Sequence, residues 1–143
     1  MSSVRLNRFA RYLRLVRRHH RALIAAFFVL LVVRIGLTFG SYQSVQGWTD
    51  RYARPNRRPA QIPVLVWSIT HCAKLIPGAT CLTQALALRY LMLRAGEDCT
   101  IRIGVRETID RPFDAHAWVI HQGRALIGGS EQDLKTFKPL VDL

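Results

Sequence analysis

The stretch from Thr80 to Gly96, TCLTQALALRYLMLRAG, followed at once by EDCTIRIGVR over 97–106, decides the fold. Its first part reads as a helix. Thr80 is a natural N-cap whose hydroxyl accepts from the first free amides, and this puts Cys81 at the first helical position. Leu82, Ala85, Leu86, Leu88, Leu91, Met92 and Leu93 spread around most of the circumference, the pattern of a central helix buried on more than one side. Gly96, free to take positive φ, suits the residue after the helix end. The period then switches from that of a helix to that of a strand. Cys99, Ile101, Ile103 and Val105 alternate with Thr100, Arg102, Gly104 and Arg106, as in a half-buried strand.

Downstream, a polar loop over 107–114 leads into a second strand, Ala115–His121. Gln122-Gly123 is a hairpin turn signal, and Arg124–Ile127 return as a third strand before Gly128-Gly129. Upstream, Pro63 is placed as the first residue of a helix running from Val64 to about Ile76, stopped by Pro77-Gly78. Its buried stripe is Val64, Leu65, Ile69, Cys72, Ala73 and Ile76. Helices followed by strands predict an α+β domain with the central helix packed on a small antiparallel sheet.

The rest of the chain differs in character. Residues 1–60 hold 12 basic residues and one acid, whereas 61–143 hold 9 basic residues and 8 acids. From Arg5 to Arg21 there are seven arginines and no acid, with Leu6, Phe9, Leu13 and Val16 at helical spacing between them. This arm predicts a basic amphipathic helix, suited to an anionic lipid surface or a nucleic-acid backbone. Aromatic interleaving is thin and no nucleic-acid motif follows, so nucleic acid is not an expected partner. Residues 22–33, ALIAAFFVLLVV, are unbroken apolar sequence. Arg34 interrupts them, free to snorkel, and Ile35–Phe39 extend the run to Gly40. Such a helix either contacts a membrane, its N-terminus held on the cytoplasmic side by the arginines, or packs against protein. Residues 41–60, with Gly47, Pro55, Asn56 and Pro59, predict a linker carrying at most one short turn of helix. The expected organisation is therefore 1–40 basic arm and apolar helix, 41–60 linker, and 61–143 globular domain. With half its residues apolar and 21% charged, the chain is not disordered.

Three cysteines, Cys72, Cys81 and Cys99, form no closed disulfide framework and suit a reducing, cytoplasmic compartment. Cys72 and Cys99 read as small buried hydrophobes. Cys81 differs, because free amides and the dipole at a helix N-terminus stabilise a thiolate and can hold an oxyanion. Its candidate partner is His116, flanked by Ala115 and Ala117. On the face shared with Trp118 and Ile120, its ring is expected to look toward the core helix, either as a satisfied core histidine or as the base of a Cys–His dyad. The dyad requires the thiol at the helix head to lie within bonding reach of the imidazole on the middle strand. Cys72, Cys81, Cys99, His71, His116 and His121 lack the paired short spacings of a zinc site, so no metal or other cofactor is expected. His19, His20, His71 and His121 read as surface or linker residues.

The blocks Cys81-Leu82-Thr83-Gln84-Ala85-Leu86-Ala87-Leu88, Ile103-Gly104-Val105, and Ala115-His116-Ala117-Trp118-Val119 with Gly123-Arg124 resemble the lasso-peptide biosynthesis B protein family. The similarity is to its leader-peptidase half, the transglutaminase-like, papain-related C-terminal domain of microcin-processing proteins, and covers roughly residues 62–130. The resemblance implies a cysteine peptidase that cuts the leader from a ribosomally made precursor peptide through a thioester, with Cys81 as nucleophile and His116 as general base. It also implies partners: the precursor, a separate leader-binding recognition protein and a lasso cyclase, with residues 1–40 docking that complex or a membrane surface. Family members often place an orienting Asp about twelve residues after the histidine, where this chain has Gly128. Ser130, Glu131, a backbone carbonyl or a water are then the candidates to orient the ring, with Asp114 a further one. Two rivals stand beside the peptidase: acyl transfer from the same thioester to an amine, and a non-catalytic membrane-associated scaffold.

Overall fold

A computed structural model describes residues 2–55, 60–110 and 112–143. Residues 56–59 of the expected linker, residue 111 of the expected polar loop, and the side chains of Arg5 and Leu6 lie outside that description. Five helices come first: α1 (Ser2–Arg18), α2 (His20–Phe39), α3 (Tyr42–Tyr52), α4 (Ile62–Ala73) and α5 (Cys81–Arg94). Strands β1 (Thr100–Arg106), β2 (Asp114–His121) and β3 (Arg124–Ile127) follow, then a single helical turn α6 (Glu131–Leu134) and strand β4 (Lys138–Asp142). The sheet is antiparallel in the order β3-β2-β1-β4.

The α+β arrangement holds, with α5 central. Its Leu86, Ala87, Leu88 and Met92 are fully buried. α2, α4 and β2 all pack on it. The β2–β3 hairpin turns on Gln122 (φ 48°) and Gly123 (φ 76°), both left-handed, as a tight two-residue turn matched to strand twist requires.

Three expectations are corrected. First, the face of β2 that meets the helices carries Ala117 and Val119, which share the main core with Ile101, Leu86 and Leu88. Trp118 lies on the opposite face in a second, small core with Leu134 and Phe137, flanked by Ile120. Both faces of the sheet are covered, so alternation alone did not say which one meets α5. Second, much of the expected linker is α3, whose Ser41 cap accepts from the Ser44 amide at 3.2 Å. Val45 and Thr49 are buried and Trp48 stacks on Tyr90 of α5, rings 5.7 Å apart. Third, Arg34 is held by protein groups. Its Nε donates to the Pro77 carbonyl (3.3 Å) and its Nη1 to Thr38 Oγ1 (2.7 Å). The apolar helix α2 is therefore tied to the loop that leads into α5.

Ala26, Leu30 and Val33 of α2 are fully buried in the same core as Leu65 and Ile69 of α4 and the inner face of α5. The hydrophobic core is continuous across the boundary expected at residue 61. β4 was not foreseen. Its residues are exposed, and it is held as an edge strand by paired backbone bonds between Ile101 and Leu143 and by the Arg102–Asp142 fork at 2.6 and 2.7 Å.

Candidate active site

Cys81 opens α5 as its first residue, behind the Thr80 cap, whose hydroxyl accepts from the Thr83 amide at the long limit of 3.5 Å. The thiol is half-buried, between the fully enclosed and fully wet extremes. The other two cysteines are held as neutral thiols. Cys72 is buried and donates to the Leu23 carbonyl at 3.4 Å, and burial pushes its pKa up. Burial pushes Cys99 up to about 11. A thiolate is the nucleophile in any thiol chemistry, so Cys72 and Cys99 are poor candidates.

A short connection, 95–99, joins α5 to β1. At ~1.5 Å per residue, Cys81 lies about 20 Å back along α5 from that connection. Within the sheet, Gly104 of β1 pairs with His116 of β2.

His116 is half-buried on the Trp118 face of β2. Its ring stacks on Phe137 at 5.3 Å and on Trp118 at 6.2 Å. The expectation that it looks toward the core helix is thus corrected: that place belongs to Ala117. Among the described residues, no hydrogen bond joins the imidazole to the Cys81 thiol. The ring's polar partner is instead the Gly128 carbonyl, bonded to Nε2. A carbonyl only accepts, so Nε2 carries the proton and Nδ1 is the basic nitrogen of the neutral ring. Of the groups weighed for orienting the ring, the backbone carbonyl fills that place. Asp114 is engaged by Arg106, whose Nε and Nη2 both donate to Oδ2 at 3.1 and 3.0 Å. Ser130 caps α6 and donates to Asp133.

Gly128 is also the reason the carbonyl can come so close. It has φ +111°, and a Cβ there would stand 2.7 Å from Trp118 Cβ and 3.2 Å from His116 Nε2. Only a glycine lets the chain cross β2 at this distance. Phe137 is the contact sequence reasoning missed. Arg106 lies over the same ring at 4.5 Å, so the aromatic shelf under the imidazole carries a cation as well. The remaining histidines are mostly tied down. His71 Nδ1 donates to the Trp67 carbonyl at 2.8 Å, and His121 Nδ1 to the Asp98 carbonyl at 2.7 Å. His121 is well enclosed rather than superficial, its side chain 11% exposed.

A family model for the transglutaminase-like superfamily matches residues 28–142. The chain belongs to the transglutaminase-like superfamily. That superfamily includes cysteine peptidases and acyltransferases. The match begins inside α2, in keeping with a core that α2 shares with α4 and α5. No curated protein and no solved structure matches the chain.

Proposed function

We propose that this transglutaminase-like protein is a cytoplasmic cysteine peptidase that removes the leader from a lasso-peptide precursor. Cys81 is the nucleophile and His116 the general base and acid. The observation that carries this function is the half-exposed Cys81 as first residue of the buried α5, in a chain of this superfamily. Nδ1 of His116 takes the thiol proton, and the thiolate attacks the carbonyl at the leader–core junction. The free amides of the first turn of α5 are suited to receive the oxyanion. The C–N bond then breaks as the imidazolium protonates the leaving amine, giving a thioester. Water, deprotonated by His116, hydrolyses it to a carboxylic acid and restores the thiol. The Gly128 carbonyl serves as the orienting third group, a role filled elsewhere by a carboxylate. A separate leader-binding protein delivers the precursor, and a cyclase takes the product.

The function makes one structural demand. The imidazole rests over Phe137 on one face of the sheet while Cys81 packs with the core on the other, so the function requires the ring to leave Phe137 and reach the sulfur when a peptide is seated. The test mixes the protein with its precursor and leader-binding protein and reads product masses for wild type, Cys81→Ala and His116→Ala. Leader removal with water added to the products, lost in both variants, is the expected result. Undiminished cleavage by Cys81→Ala refutes the nucleophile. A product formed without added water, carrying an amine acceptor instead, assigns the protein to acyl transfer.

A further inference from the structure

The long apolar helix α2 has two sides with opposite fates. Ala26, Leu30 and Val33 are fully enclosed against α4 and α5. On the other side of the same helix Ile24, Phe28, Val32, Ile35 and Phe39 stand 44% to 87% exposed. At 3.6 residues per turn these five form one stripe, directly opposite the buried three. The single charge in the run, Arg34, is turned away to Pro77 and Thr38 and leaves the stripe neutral. Apolar grooves border it at both ends. One of about 470 Å³ is lined by Tyr12, Val16, Ile24, Phe27, Phe28 and Leu75. The other, of about 460 Å³, is lined by Val32, Ile35, Phe39 and Trp48.

α1 adds the charge. Arg8, Arg11, Arg14, Arg17 and Arg18 are all exposed. At 3.6 residues per turn Arg11, Arg14 and Arg18 lie on the side of α1 opposite Phe9, Tyr12, Leu13 and Val16, and Arg8 and Arg17 flank that apolar face. Arg21 at the start of α2 is exposed too. Among the described residues of α1 and α2 there is no carboxylate, and an apolar stripe on a helix that follows an arginine-rich one matches a surface that is greasy beneath and anionic on top.

α2, with 20 residues, is long and apolar enough to cross a bilayer. Crossing would carry α4, α5 and the sheet packed on them into hydrocarbon, where their polar groups have no partners. We therefore propose that α1 and α2 form a monotopic docking surface for an anionic lipid bilayer. α2 lies in the plane of the interface, the Ile24–Phe39 stripe sinks into the acyl boundary, and the α1 arginines meet lipid phosphates. Trp48, 38% exposed beside Phe39, sits at headgroup level, where indole rings concentrate. This surface is independent of the chemistry at Cys81.

The test is flotation of the full-length protein with phosphatidylcholine vesicles, with and without phosphatidylglycerol. Binding is expected to need phosphatidylglycerol, to weaken with salt and to be stripped by alkaline carbonate. Arg11→Gln/Arg14→Gln/Arg18→Gln is expected to lower partitioning on the order of a hundredfold, from roughly fivefold for each arginine at an anionic surface. Phe28→Ser/Ile35→Ser is expected to lose vesicle binding while keeping the wild-type unfolding midpoint. Should that double variant fail to fold, the arginine triple, all at exposed positions, still decides. Absence of binding to either vesicle overturns the proposal. So does carbonate-resistant binding with the two ends of α2 on opposite sides of the bilayer, which is a spanning helix. A lipid-free dimer that depends on Phe28 and ignores vesicles overturns it as well, since the occupant is then a second copy.

Discussion

Gly128→Ala is the most incisive perturbation of the region around His116. Two costs add at this position. At φ +111° an L-residue is strained by about 1–3 kcal/mol. A Cβ 2.7 Å from Trp118 Cβ overlaps a buried side-chain root that has no free rotation to escape, a repacking cost of about 1–3 kcal/mol. The sum, about 2–6 kcal/mol, is large against the stability of a domain this size. Gly123→Ala is the matched control, since Gly123 has φ +76° but nothing within 4 Å of its added Cβ. It should show the left-handed term alone, about 1–2 kcal/mol. Urea unfolding of both variants, with unchanged m-values, separates packing from conformation. Nitrogen shifts of the His116 ring supply a second readout. The Nε2-protonated tautomer is expected in wild type and lost in Gly128→Ala, because the carbonyl that holds it is displaced. The reasoning fails if Gly128→Ala is no less stable than Gly123→Ala, or if wild-type His116 is protonated on Nδ1.

Three further outcomes are expected. Iodoacetamide with mass mapping should label Cys81 first. Cys99, pushed up to about 11, is a thiolate in only roughly one molecule in ten thousand at pH 7, so earlier labelling of Cys99 or Cys72 refutes the ranking. Asp142→Asn should cost less than about 1 kcal/mol at neutral pH, since the Arg102–Asp142 pair is exposed. The hydrogen bond from Arg102 holds the Asp142 carboxyl below its usual range, so this stability is present at neutral pH and lost as pH falls through the folded-state value. The wild-type and variant unfolding curves should therefore converge in acid, and a gap that widens there contradicts the pair. Leu30→Ala should cost about 2–5 kcal/mol because Leu30 is fully buried, while Phe28→Ala, 59% exposed, should stay within about 0.5 kcal/mol. Equal effects in thermal unfolding would mean that α2 is not part of the core.

The parts of the fold legible in the sequence are those with local chemistry behind them. Thr80, the apolar girdle of α5 and the Gln122-Gly123 turn state their structure within a few residues. α3 did not, because Gly47 and a polar stretch hide a helix whose stability comes from Val45, Thr49 and the Trp48–Tyr90 stack, all tertiary contacts. β4 was invisible for a related reason. Lys138 and Pro139 head an exposed strand, and only the sheet edge offered by β1 makes it one. At the site, the position of Cys81 was legible from capping chemistry. The acceptor for His116 was not, because a backbone carbonyl leaves no side-chain signature. Only the Gly128-Gly129 pair hinted that the chain comes in close there.

The tether from Arg34 to Pro77 has a consequence for building hybrids of this protein with its relatives. An added Cβ at Gly78 would sit 2.6 Å from the Arg34 guanidinium, so the two positions are cut to each other's shape. Exchanging the first sixty residues for those of another superfamily member, while keeping the segment that bears Cys81, would mismatch that joint just ahead of the thiol. A working chimaera has to move residues 34, 77 and 78 as one piece.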